Sequence, residues 1–168
     1  MATQAPANSK AIQVAKYFIQ KSYAEPEKGL DAKKLQKLLY YSQAWSLVVR
    51  EKEIFPDQIE AWIHGPAIYK VWNTFKTYDF GSVHSDITGA TLNLDDSEKG
   101  FLDSIWALYG KFDGEYLEAL THSESPWQEA RKGLDGHVRS NNIIPHESMR
   151  AFYGKRLEEA EQRSQEEG

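Results

Sequence analysis

There is no cysteine among the 168 residues, which excludes disulfides and thiolate zinc sites and suits a reducing cytosol. No apolar run approaches the roughly 20 residues of a membrane-spanning helix. Met1 to Asn8 has neither the basic start nor the apolar stretch of a signal peptide, so a cytoplasmic location and no membrane partner are expected. Phosphate-binding patterns are missing too: no glycine-rich loop precedes Lys-Ser or Lys-Thr, and no Gly-x-Gly-x-x-Gly follows a strand. The five histidines form no pair at ligand spacing. His146-Glu147 would open a zinc-protease helix, but Arg150 stands where the second histidine is required, so neither a metal nor a cofactor is expected. Positive charge forms no long stripe. The net charge is −5, and five glutamates against the single Arg163 in residues 158–168 supply most of it. The best basic candidate is Lys33, Lys34 and Lys37 at the start of a helix, and its simpler reading is a solvated face; no direct nucleic-acid binding is expected.

What is present is one domain's worth of helical pattern, rich in rings: five Trp, nine Tyr and seven Phe. Residues 1–8 read as a disordered N-terminus, 9–157 as a domain without an internal boundary, and 158–168 as an acidic tail expected to fray. Ser9, Asp31, Asp95 or Asp96, and Asp113 are each placed to cap a helix. Leu35, Leu38, Leu39, Trp45 and Val49 keep helical spacing, and Tyr40, Tyr41 and Leu47 widen that face, which marks the central helix. Gln58–Ile63 alternates as a short strand or extended segment, Gly65 turns the chain, and Pro66 is placed to begin a helix buried through Ile68, Val71, Trp72 and Phe75. Residues 79–95 read as a long surface loop with room for one short strand. Ser125, Pro126 and Gln128 have capping-box spacing, and a last helix begins near Pro145 with Met149, Phe152, Tyr153 and Leu157 as its apolar face. The expected fold is mainly α, a single compact domain of about six or seven helices with a small strand element.

Two fragments invite a catalytic reading. Glu60, Trp62, His64, Gly65 and Pro66 place a histidine at a strand end beside a helix start, where it could act as a general base or bind an anion. The structural alternative makes His64-Gly65 a turn and Trp62 core. His122 lies close to Ser123, Glu124 and Ser125, yet serines at a helix start are more simply caps, and a triad is a matter of spatial geometry. A helix-turn-helix through 113–133 would carry Asp113, Glu115, Glu118, Glu124 and Glu129, a surface that repels DNA. No catalytic residue is assigned.

The ordered motifs Leu-Gln-Lys-Leu-Leu-Tyr-Tyr-Ser-Gln-Ala-Trp at 35–45, Ile-Glu-Ala-Trp-Ile-His-Gly-Pro at 59–66, Leu-Thr-His at 120–122 and Pro-Trp-Gln-Glu-Ala-Arg at 126–131 resemble the Panacea domain, the antitoxin domain related to SocA and GepA. The residues that match the signature are Leu35, Leu38, Leu39, Tyr40, Gln43, Trp45, Trp62, His64, Gly65, Pro66, Thr121, His122, Pro126 and Trp127; most are apolar or turn-forming and mark the fold. One departure is that Ala67-Ile68-Tyr69 follows Pro66, where the family often has a hydrophobic residue and a second proline. The resemblance implies an antitoxin of a bacterial or phage toxin–antitoxin system that neutralises its cognate protein toxin by direct protein–protein binding. The alternative, which the SocA branch implies, is a protease adaptor that delivers the toxin for degradation. It leaves the toxin-binding residues open; the loop 79–95 with the extended segment before it is the first choice for the toxin-facing surface.

Overall fold

The structure, a computed structural model, describes residues 9–167, so the expected disorder of residues 1–8 lies outside it. Among the described residues there are eight α-helices and one two-stranded sheet. In chain order these are α1 (Lys10–Ala24), α2 (Ala32–Trp45), β1 (Glu60–Trp62), β2 (Gly65–Ala67), α3 (Tyr69–Phe75), α4 (Ser85–Thr88), α5 (Asp96–Tyr109), α6 (Gly114–His122), α7 (Ser125–Ala130) and α8 (His146–Glu167). The caps follow the sequence closely: Ser9 Oγ accepts from the Ile12 N–H, Asp31 from Lys34, and Asp113 from Tyr116. Asp95 and Glu98 complete a reciprocal capping box.

Helix α2 is the axis of the molecule. Every residue from Lys34 to Ala44 is buried, because α1, α5, α6, α8 and the hairpin pack around it. Two glutamines seven residues apart carry the connection from α2 to α3. Gln43 accepts from the Ile54 N–H at 2.9 Å and donates to the Phe55 carbonyl at 2.8 Å. Gln36 accepts from the Ile68 N–H at 2.8 Å and donates to its carbonyl at 3.1 Å. Each primary amide thus stands in for a neighbouring strand and satisfies backbone groups that would otherwise be buried without partners. A third extended segment flanks β1 on its other edge, with Ala61 N–H donating to Asn142 O and Ile144 N–H to Ile59 O, both at 2.8 Å. Arg131 pins that segment's approach, donating to the Ala61 carbonyl at 2.9 Å and to the Val138 carbonyl at 2.5 Å.

Several sequence expectations are corrected. Pro66 lies in β2 and does not open a helix; α3 begins three residues later, after Gln36 has taken both Ile68 backbone groups. Trp62 is only partly buried and Trp72 is exposed, so neither indole fills core. Val49 is exposed because the helix widens into a π turn at Ser46–Arg50, which rotates the following side chains off the apolar face. The 79–95 loop holds the one-turn helix α4 in place of a strand, which is why the helix count is eight. The Ser125 capping box does not form: Glu124 occupies the N-cap position, and Gln128 donates to the His122 carbonyl instead. Past Leu157 every described side chain of α8 is exposed, yet the helix continues to Glu167.

Candidate functional site at the hairpin tip

The β1–β2 hairpin is closed by Ile63 and His64, and Trp62 pairs with Gly65 across it. This tight closure is available because Gly65 takes φ +112°, a region that favours glycine. Its missing side chain also lets α2 approach: a Cβ there would lie 2.6 Å from Lys37 Cε and 3.0 Å from Thr121 Oγ1. The hairpin therefore sits directly on Lys37 and on the end of α6, and the signature residues Trp62, His64, Gly65, Pro66, Thr121, His122 and Trp127 converge there.

The lysines at this end of α2 are not a solvated face, which overturns the simplest sequence reading. Lys34 and Lys37 are 2% and 3% exposed. Lys34 Nζ donates to the carbonyls of Lys28 and Gly110 at 2.9 and 2.5 Å and lies over the Trp106 ring. Lys37 Nζ donates to the Pro66 carbonyl at 3.3 Å. Burial strips water from the Lys37 ammonium and lowers its pKa to about 8, against the opposing attraction of Glu118. Lys33 is the outward member of the three, held by Glu115 at 2.8 Å and Glu118 at 2.6 Å.

Glu118 is the electrostatic centre of the tip. Its second oxygen lies 3.2 Å from His64 Nδ1. Burial alone would raise the Glu118 carboxyl, but hydrogen bonds from Lys33 and His64 outweigh it and leave the pKa below the ordinary value. His122 stacks on Trp127, with ring centroids 3.9 Å apart and planes within 11°, and it is hydrogen-bonded to the Ile63 backbone. Burial, reinforced by the nearby Lys37 and His64, lowers the His122 pKa and favours the neutral ring. Trp127 Nε1 donates to the Trp62 carbonyl at 2.8 Å, tying α7 to the hairpin.

His64 meets the Glu118 carboxylate, which also acts on His122 through its charge. His122 Nε2 is buried without a hydrogen-bond partner. The adjacent hydroxyls are bonded to helix backbone: Thr121 donates to Glu118 O at 2.8 Å and Ser123 to Leu120 O at 2.6 Å. Among the described residues no group of three His, Asp or Glu side chains could hold a metal ion. What the arrangement does is lock a turn onto a helix pair.

The remaining signature residues serve a second locus. Tyr40, Tyr41 and Trp45 of α2 meet Tyr109 of α5 and Tyr153 of α8 around Glu124, itself only 3% exposed. Tyr41 and Tyr153 donate to Glu124 Oε1 at 2.9 and 2.6 Å, and Tyr153 lies 3.1 Å from the Tyr40 hydroxyl. Trp45 Nε1 donates to the Tyr109 hydroxyl at 2.8 Å. Burial raises the Glu124 carboxyl above its ordinary value despite the two tyrosine hydrogen bonds. Pro126, two residues on, is buried in the first turn of α7.

Sequence reasoning did not single out Lys37, Glu118, Glu124, Gln36 or Arg131 as structural polar groups. A signal was present for two of them: Lys37 stands three, four and seven residues before Tyr40, Tyr41 and Ala44, and Gln36 seven before Gln43, so both share the apolar faces of α2. Glu118 and Glu124 carried no such signal, because their partners are 54 and 83 residues away in the chain.

The buried ammonium makes a pH prediction. A pKa that falls from 10.5 to about 8 on folding corresponds to a cost of about 3 kcal/mol while both states are protonated. Between those values the unfolded chain binds the extra proton, so this group's contribution to stability rises with pH. Urea unfolding at pH 7.5 and pH 10.5 should show the wild type gaining about 3 kcal/mol relative to Lys37→Met, which has no amine to titrate. An unchanged difference between the two proteins would contradict the buried, charge-penalised lysine.

Comparison with known proteins finds a family match. The family model described as antitoxin SocA-like, Panacea domain, matches residues 35–128, from the first buried leucine of α2 to Gln128 in α7. No curated protein and no solved structure matches the chain.

Proposed function

The chain belongs to the SocA-like antitoxin family, Panacea domain, and from that membership we propose that it neutralises a protein toxin encoded beside it by binding the toxin directly. The observation that carries this is the match over residues 35–128, which takes in most of α2, the hairpin and the Glu118–His122 end of α6. Supporting it, the signature side chains are absorbed in structure: Gln43 in the extended connection, Trp127 on the hairpin, and Tyr40 in the tyrosine cluster. A fold maintained by such residues leaves its outer surface free to vary with the partner, as a binding module requires.

The proposal is a non-enzymatic, stoichiometric inhibitor acting in the cytoplasm of a bacterial host. No cofactor enters it, and its partner is a protein. No helix among the described residues is long and apolar enough to cross a membrane. The experiment is co-expression with the product of the neighbouring reading frame. Growth arrested by that product should be restored, and the two chains should co-purify at a fixed ratio. Arrest that persists with this chain present at equal or greater abundance would overturn the proposal.

A further inference from the structure

The loop 79–95 is largely exposed, Val83 included, but it is tethered to the body of the domain. Its backbone is tied to α1 by Gln20, which donates to the Ile87 and Ala90 carbonyls, and by Gln13, which accepts from the Asn93 N–H. Its Asp79 side chain is occupied by Ser82 and the Gly81 N–H. The short helix just before it presents a different face. Tyr69 and Trp72 are 54% and 41% exposed, although both are large rings on a structured element. They form a continuous series with the hairpin: Trp62 meets Trp72 edge-on at 6.2 Å, and Trp72 meets Tyr69 at 5.7 Å.

Beside Trp72 a cavity of about 100 Å³ opens between α2 and α3, with Leu35, Val71 and Phe75 as its apolar lining and Ala32 among its lining residues. It has room for one aliphatic side chain. One carboxylate on this face is already engaged, Glu60 accepting from Trp62 Nε1 at 2.7 Å. From Tyr69 to Lys76 there is no acidic residue, and Lys76 lies 5.0 Å from the Trp72 ring centre without a carboxylate partner among the described residues. Lys70 is paired with Asp57 at 3.4 Å. The nearest acid by sequence to Ala32, Asp31, turns its carboxylate to the Lys34 N–H. Lys76 is thus a cation that this aromatic face leaves available to a partner's carboxylate.

Aromatic rings around a small pocket, with a cation at the rim, match the composition of the few residues that dominate binding energy in protein interfaces. Resting on the antitoxin reading above, we infer that the Trp62–Tyr69–Trp72 face of α3 is the toxin-binding surface. Its occupant is a toxin segment that inserts one aliphatic side chain into the α2–α3 cavity and sets a carboxylate against Lys76. The aromatic series supplies the contact area, and the Lys76 charge supplies orientation and a salt-dependent encounter rate.

Calorimetric titration with the purified product of the adjacent reading frame tests it, with Trp72→Ala, Lys76→Glu and the cavity-blocking Ala32→Leu as variants. All three positions are exposed, so the variants should melt with the wild type, which circular dichroism checks. Val49→Ala, exposed beyond the far end of α2, is the control. Trp72→Ala should weaken binding by about 30-fold or more, Lys76→Glu and Ala32→Leu about tenfold each, and Val49→Ala less than threefold. Wild-type binding that survives all three variants would move the interface elsewhere and leave the antitoxin reading intact. Loss with Trp72→Ala but none with Lys76→Glu would overturn the carboxylate partner. A dimer of this chain alone that Trp72→Ala abolishes would assign the face to a second copy. No binding by the wild type would remove the direct-binding reading and this surface with it.

Discussion

Glu124→Ala should cost about 3–5 kcal/mol of folding stability, because it strips the acceptor from two buried tyrosine hydroxyls and leaves a void where the carboxylate stood. Tyr41 and Tyr153 both donate to one oxygen of this side chain, and both are shielded from solvent. The damage should spread to the C-terminal helix, since Tyr153 and Met149 are its only buried residues among those described. Glu124→Gln separates the hydrogen bonds from the charge. Burial already raises the Glu124 carboxyl, and a group whose pKa is raised on folding loses stability as pH climbs from the unfolded value through the folded one. The glutamine keeps an acceptor and has no charge to desolvate, so it should remain near wild type at neutral pH. Denaturant unfolding of both variants reads this directly. Equal, small losses would mean that the tyrosines find other partners.

Gly65→Val should be of similar size, about 3–5 kcal/mol, through two independent causes. A β-branched residue at φ +112° occupies backbone space that L side chains rarely enter. Its Cβ would also displace Lys37 Cε and Thr121 Oγ1, which lie 2.6 and 3.0 Å from that position. Lys37 is enclosed on every side, so its tail has nowhere cheap to move. The hairpin should lift from α2, exposing the Trp127–His122 stack that rests against it. Gly29, at φ +70° with nothing within 4 Å of an added Cβ, is the matched control: its valine variant carries only the backbone cost. A loss at Gly65 no larger than at Gly29 would show that the hairpin does not press on Lys37.

These two sites show where the sequence could be followed and where it could not. The helix starts were legible because a cap is a local event, made within three residues by Ser9, Asp31, Asp95 and Asp113. The central place of α2 was legible from its leucine and tyrosine spacing. The lysines misled, since three cations in five residues read as a wet face unless one knows that the Gly110 and Pro66 carbonyls await them. Pro66 misled for a related reason. Its preference for a first helical turn gave way to the pairing of β2 with β1 and to the Gln36 contacts with Ile68. At the hairpin tip, the residue types were visible but their purpose was not. In one dimension the turn and cap readings of His64 and His122 stand beside a catalytic alternative; in three, His64 meets Glu118 and His122 stacks on Trp127.

The central claim is neutralisation by direct binding, and the sharpest measurement follows toxin abundance and growth together in a host lacking its ATP-dependent proteases. With this chain co-expressed, growth should be restored while the toxin persists at undiminished level, held in a complex of fixed ratio. Rescue that vanishes in that host, with toxin levels falling only when the proteases are present, would contradict occlusion and identify the chain as an adaptor for degradation.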